Sequence, residues 1–189
     1  MLMLSLLAFA AAAPAPLAPV PCVVMNAERM PANRRASVLD SLTFAAGKAE
    51  VKVCYGRPAL KGRAMIGADA VPYGKLWRTG ANEPTMLHTN APVSVAGVTL
   101  PPGSYSLYTV PGEKEWEVVL NRSTSQWGHE SAYTPEVAKQ EVGRGKVKAM
   151  KTKAPVERLT FTAEPSAEKA NKLVLEWENS RVEIPVSAK

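Results

Sequence analysis

Apolar and polar residues alternate with a period of two along most of this 189-residue chain, a pattern that half-buried strands satisfy and helices do not. Leu42 and Phe44 alternate with polar neighbours. Ala49, Val51, Val53 and Tyr55 share one face of a second strand, with Glu50 and Lys52 on the other. Val93 and Val95 lead into a tight Ala96-Gly97 turn and out through Val98 and Leu100. Pro101-Pro102-Gly103 interrupts the sheet before Ser104 to Val110 resumes it. Pro111-Gly112 reads as a turn in which glycine accepts a positive φ, and Trp116, Val118 and Leu120 return. Leu173, Leu175 and Trp177, a turn at Asn179-Ser180, and Val182, Ile184 and Val186 read as a closing hairpin. Only Thr134 to Val142 has helical character, with Thr134 as N-cap, Pro135 at the first helical position and Gly143 and Gly145 ending it. Sixteen prolines and frequent turn signals complete the expectation. The chain should be all-β: an antiparallel β-sandwich of about 8–10 strands, with one long irregular loop and at most one short helix.

The N-terminus differs from the rest. Met1 to Ala13 is apolar and uncharged, too short for a membrane-spanning helix, which needs ~20 residues. It suits the apolar core of a signal peptide, although no Lys or Arg precedes it. Ala10-Ala11-Ala12 supplies the cleavage site, so residues 1–12 are read as a signal peptide. Residues 13–35 are read as an Ala/Pro-rich tail and linker, and 36–187 as one domain. Export to the periplasm or cell envelope follows as an expectation. In that oxidising setting the even pair Cys22 and Cys54 is expected to form a disulfide, stabilising the fold by about 3–4 kcal/mol through loop entropy. Lipidation of Cys22 fits less well, because Pro19-Val20-Pro21 precedes it.

The formal charge of +6 gathers in two stretches, Arg57 to Arg78 and Lys139 to Lys153. Export argues against nucleic acid as the partner, and a solvated basic face near anionic envelope polymers is the expected reading. With only His88 and His129, and no paired Cys or His spacing, no metal site or cofactor is expected. There is no phosphate loop, dinucleotide fingerprint or nucleophile elbow. His88 falls on a strand, facing opposite to Leu87.

The segment from Gly56 to Pro84 lacks alternation, and long irregular segments inside compact domains are commonly functional. It carries Arg57, Lys61 and Arg63, then Trp77, Arg78, Asn82 and Glu83. Arginine forks suit anionic groups, Asn82 and Glu83 can orient a ligand, and Trp77 or Trp127 can stack on a ring. These eight residues are the candidate ligand site, for a small anionic or carbohydrate ligand. The competing reading is structural: Arg78 or Arg57 pairs with Glu83 and pins the loop. A third reading makes Glu83 a general acid or base, tuned by His88 or Arg78.

The same segments carry a resemblance. Tyr55-Gly56-Arg57-Pro58, Lys61-Gly62-Arg63 and Val71-Pro72-Tyr73-Gly74-Lys75-Leu76-Trp77-Arg78-Thr79-Gly80-Ala81-Asn82-Glu83 resemble the signature of the bacterial family of unknown function DUF2911. Leu100 to Pro111, Trp116 to Asn121, Gln126-Trp127-Gly128 and Leu173 to Asn179 continue it, over roughly Ser37 to Val186. The resemblance implies an exported, β-rich envelope protein and brings no activity or catalytic residue with it. Cys22 and Cys54 lie outside the pattern.

Overall fold

The computed structural model describes residues 20–166 and 171–189; the signal-peptide segment 1–12 and residues 13–19 of the tail lie outside them. Nine strands follow in order: β1 (Val38–Ala46), β2 (Ala49–Arg57), β3 (Thr85–Thr89), β4 (Val93–Val95), β5 (Val98–Leu100), β6 (Gly103–Val110), β7 (Glu115–Asn121), β8 (Glu141–Pro165) and β9 (Asn171–Ala188). All pairings are antiparallel, and the order across the sheet is β1-β2-β3-β6-β7-β8-β9-β4-β5. The chain is all-β, as the alternation predicts.

Strand β8 turns the sheet over. Its first residues pair with β7 and its later ones with β9, with register shifts between Lys151 and Val156 and between Val156 and Thr160. A bridge from Ala59 to Arg158 ties the chain after β2 to β8. The two halves of the sheet share one core: Val53, Leu87, Leu107, Trp116 and Val118 from the first, and Leu173, Leu175, Ile184 and Val186 from the second. The outer face of the first half is covered as well. Ser106 donates to the Ser123 carbonyl and Asn121 to the Val137 carbonyl, so the segment after β7 lies on it. This explains why every residue of β3 is buried.

Three local expectations are corrected. The helix α1 is a single turn, Pro135–Ala138, with the Thr134 hydroxyl accepting from the Val137 amide. Gly143 and Gly145 do not end it; they belong to β8. A Cβ on Gly145 would lie 1.9 Å from the Ala96 carbonyl oxygen, so glycine there lets the β4–β5 turn approach the strand. The expected C-terminal hairpin is one continuous strand, β9. The core side chains shift from odd positions (Leu173, Leu175, Trp177) to even ones (Val182, Ile184, Val186), and Glu178 takes φ +56 at the slip. A bulge accounts for that change of phase; no turn is present. At Pro111-Gly112, Gly112 is absent from the positive-φ residues, and a Cβ there would meet the Glu115 carbonyl oxygen at 2.5 Å. Close approach of backbone, and not turn geometry, requires glycine at this position.

The N-terminal segment is fastened to the outer face. Cys22 and Cys54 form a disulfide, and the Lys52 ammonium donates to the Val20 carbonyl at 2.7 Å. The bond closes a separation of 32 residues. Reduction, or Cys54→Ser in the Cys22→Ser background, should cost about 3–4 kcal/mol by loop entropy, read as a lowered urea midpoint with an otherwise two-state transition.

Candidate functional site

The irregular segment, 58–84, is folded into the protein as a plug. Trp77 pairs with Thr109 of β6 through both backbone groups, 2.7 Å and 2.9 Å. Its indole is 3% exposed, stacked on Trp177 with centroids 5.7 Å apart and edge-on to Trp116 at 6.3 Å. Thr79 and Asn82 hold left-handed backbone, φ +58 and +65, which lets the segment double back to β3. Thr85 fixes that doubling by donating its hydroxyl to the Thr79 carbonyl at 2.8 Å and its amide to the Arg78 carbonyl at 3.0 Å.

The eight residues expected to form a site divide into three places. Arg57 donates to the Leu159 carbonyl and the Thr160 hydroxyl, each at 3.1 Å, and Arg63 to the carbonyls of Leu60 and Ala59. With the exposed Lys61 they run along β8. A second group gathers around the N-terminal segment. Glu83 is 2% exposed, and its carboxylate accepts from the Arg35 guanidinium and, at 2.6 Å, from the Met25 amide. Asn82 donates to the Ser37 carbonyl at 3.0 Å. The anticipated pin exists, but its cation is Arg35; Arg57 approaches Asp40, and Arg78 pairs with Glu130 at 2.9 Å. Trp127 is half-buried, beside Gly128, whose Cα packs against Arg78 and Asn82 so closely that a Cβ would meet the Asn82 carbonyl oxygen at 2.1 Å.

The third place is an open cleft of about 480 Å³, lined by Asp69, Pro72, Lys75, Leu76, the edge of Trp77, Glu130 and Tyr133. Apolar side chains form part of its wall; Asp69, Lys75 and Glu130 add charge, with Glu130 paired to Arg78. Tyr133 is anchored from behind: its hydroxyl donates to Glu141 at 2.6 Å, Asn121 donates to it at 3.2 Å, and its ring meets Tyr108 edge-on at 4.8 Å. Burial, and then the adjacent Glu141 carboxylate, push the Tyr133 phenol well above its usual range. Tyr133 therefore stays neutral and donates. Arg144 holds Glu141 below the usual carboxylate range.

Of the expected residues only Trp77 lines this cleft, with Arg78 reaching it through Glu130. Lys75 and Leu76 belong to the motif that carries the resemblance, Asp69 lies just before it, and Glu130 and Tyr133 lie on the loop after β7 with no motif to mark them. A 480 Å³ cleft falls within the range of small-molecule sites.

His88, opposite Leu87 on β3 as expected, lies with Nδ1 2.7 Å from the Ser104 hydroxyl. Burial, followed by the nearby Lys52 charge, lowers its pKa from the ordinary 6.5. The folded protein then binds fewer protons than the unfolded chain just below that value. Stability should fall as pH drops from the ordinary imidazole value toward the folded-state one, and His88→Gln should flatten that dependence in urea titrations.

The fold and cleft together define an all-β domain with a plugged sheet and a small-molecule-sized cleft at the plug's surface. Residues 37–186 match the family described as Protein of unknown function (DUF2911), and the chain belongs to that family. No curated protein and no solved structure matches it. Among the described residues, no helix is long and apolar enough to cross a membrane.

Proposed function

We propose that this protein is an exported, non-catalytic binding module whose cleft, between the Asp69–Trp77 segment and the Glu130–Tyr133 loop, holds a small sugar-like ligand of the cell envelope. The observation that carries the reading is the lining of the cleft. Pro72, Leu76 and Tyr133 offer apolar surface to a ring face, while Asp69, Glu130 and Lys75 offer acceptors and donors around it. Arg78 engages Glu130, so the charges around the cleft balance, which suits a neutral polyhydroxylated ring. The apolar N-terminus and the Cys22–Cys54 bond support an oxidising destination. Glu83 supplies no acid–base function in this reading, because Arg35 and Met25 occupy its carboxylate.

The test is titration of the protein with neutral and acidic saccharides, followed by tryptophan fluorescence and by chemical-shift changes. Binding of a neutral sugar should weaken about tenfold or more in Glu130→Gln and in Lys75→Ala, the loss of one charge-assisted hydrogen bond. Both variants should melt within a few degrees of wild type, since the Arg78–Glu130 pair is partly exposed, with side chains 25% and 40% accessible. Shifts confined to Arg57, Lys61 and Arg63, or no saturable binding by any sugar, would sink the reading.

A further inference from the structure

One end of the molecule, which borders the cleft at Pro72 and Lys75, combines further features that lie outside it. The Pro72–Lys75 turn meets the β6–β7 connection there, with the Gly74 amide donating to the Pro111 carbonyl at 2.8 Å. The Ala149 amide donates to the Lys114 carbonyl at 2.9 Å, bringing the bend of β8 alongside, and Lys151 sits opposite Ser180 of β9. Two large apolar side chains are exposed at this end, Tyr73 at 43% and Met150 at 39%, and both border the same shallow depression. Around them stand Lys75, Lys114, Lys148, Lys151 and Lys153, all exposed, and none has a carboxylate within 4.0 Å among the described residues. Most of the nearby carboxylates are engaged: Glu115 is paired with Lys146, and Glu178 accepts from the Met65 and Ile66 amides. Glu164 and Glu176, which share a groove with Lys151 and Lys153, both pair with Arg181, while Glu113 and Asp69 are open.

We infer that this end docks on an anionic lipid surface, with Tyr73 and Met150 entering the headgroup layer and the five lysines facing lipid phosphates. Charge complementarity carries the argument, and the residue types narrow it. All five cations are lysine, whose flexible stem and compact charge suit a diffuse negative surface; a defined phosphate or carboxylate favours arginine's fixed fork. A soluble polyanion, moreover, gives no reason to expose an aromatic ring and a thioether among those charges. An interfacial layer rewards both, since the phenol reaches headgroups while the ring and the lysine stems lie in apolar surroundings. Each lysine near such a surface multiplies binding by about five, so several together suffice for stable, salt-sensitive attachment.

The experiment is co-sedimentation of the full chain with phosphatidylglycerol–phosphatidylcholine vesicles and with phosphatidylcholine vesicles, over a salt series. The expected result is binding to the anionic vesicles alone, falling as salt rises. K151E/K153E should weaken it at least tenfold. K139E, at the C-cap of α1 before β8 begins, should weaken it far less. Y73S/M150S should also weaken it several-fold while leaving the salt dependence unchanged, and circular dichroism should show each variant folded. Equal binding to soluble polyglutamate with no effect of Y73S/M150S would make the patch a polyelectrolyte site and overturn the proposal. So would equal losses from K139E and K151E/K153E, or binding to neither vesicle.

Discussion

Glu83→Gln should lower the melting temperature by on the order of ten degrees, a loss of about 3–5 kcal/mol. The carboxylate is the meeting point of the Arg35 guanidinium and the Met25 amide, and the two charged side chains are 0% and 3% accessible. Glutamine keeps the shape but removes the charge, leaving a buried guanidinium unopposed. Breaking one side of such a pair costs far more than the pair contributes, because the cost is the desolvation of the survivor. Two controls follow. Arg35→Met should cost a similar amount, and Arg35→Met with Glu83→Leu should recover most of the loss, since neither charge is then stranded. A raised midpoint for Glu83→Gln would mean the opposite: a residue held for function at the expense of stability.

Trp77→Ala should be of comparable size, about 3–5 kcal/mol, as expected for truncating a large buried aromatic. Trp77 is stacked on Trp177 with planes 13° apart, stands edge-on to Trp116, and joins the plug to β6 through its backbone. Its removal would leave a cavity between the irregular segment and both halves of the sheet. Trp77→Phe keeps an aromatic face in that space and should lose less than half as much. Trp127→Ala, truncating a half-buried ring, should cost roughly 1–2 kcal/mol, within the range of ordinary substitutions. Urea midpoints of the three variants, measured side by side, check the ranking.

These two residues show where the sequence was readable. Trp77 and Glu83 attract notice because large aromatics and charges crowd an irregular segment, and both do organise it. Alternation places Val51, Val53, Trp116 and Leu120 in the core without ambiguity, because a strand with one buried face leaves no other phase. Alternation cannot distinguish a turn from a bulge, however, as β9 shows: both shift the phase, and only the pairing partner tells them apart. Nor can it identify the partner of a buried charge. Arg35 lies in a stretch whose composition reads as linker, and nothing local to it signals Glu83, 48 residues away. The cleft was the least legible part. Its walls come from Asp69–Trp77 and from Glu130 and Tyr133, which only the covering of the sheet's outer face brings together.

The strand order carries a consequence for how the chain acquires its shape. Short connections join β1 to β2, β6 to β7 and β8 to β9, so these pairs can zip together as they appear, while β3 and β8 join their neighbours across the longer segments 58–84 and 122–140. The β4–β5 hairpin does not hydrogen-bond to them directly, because among the described residues its ladder partner outside the hairpin is β9. Until β9 inserts between β8 and β4, the hairpin is a two-stranded ribbon with no ladder to the rest of the sheet, and such a ribbon is marginally stable at best. Such non-local pairing is slow, since chain entropy must be lost before contacts repay it. β9 is thus a keystone: substitutions at Val186 or Val95 should slow folding, and a nascent chain remains an open, sticky sheet until its final strand arrives.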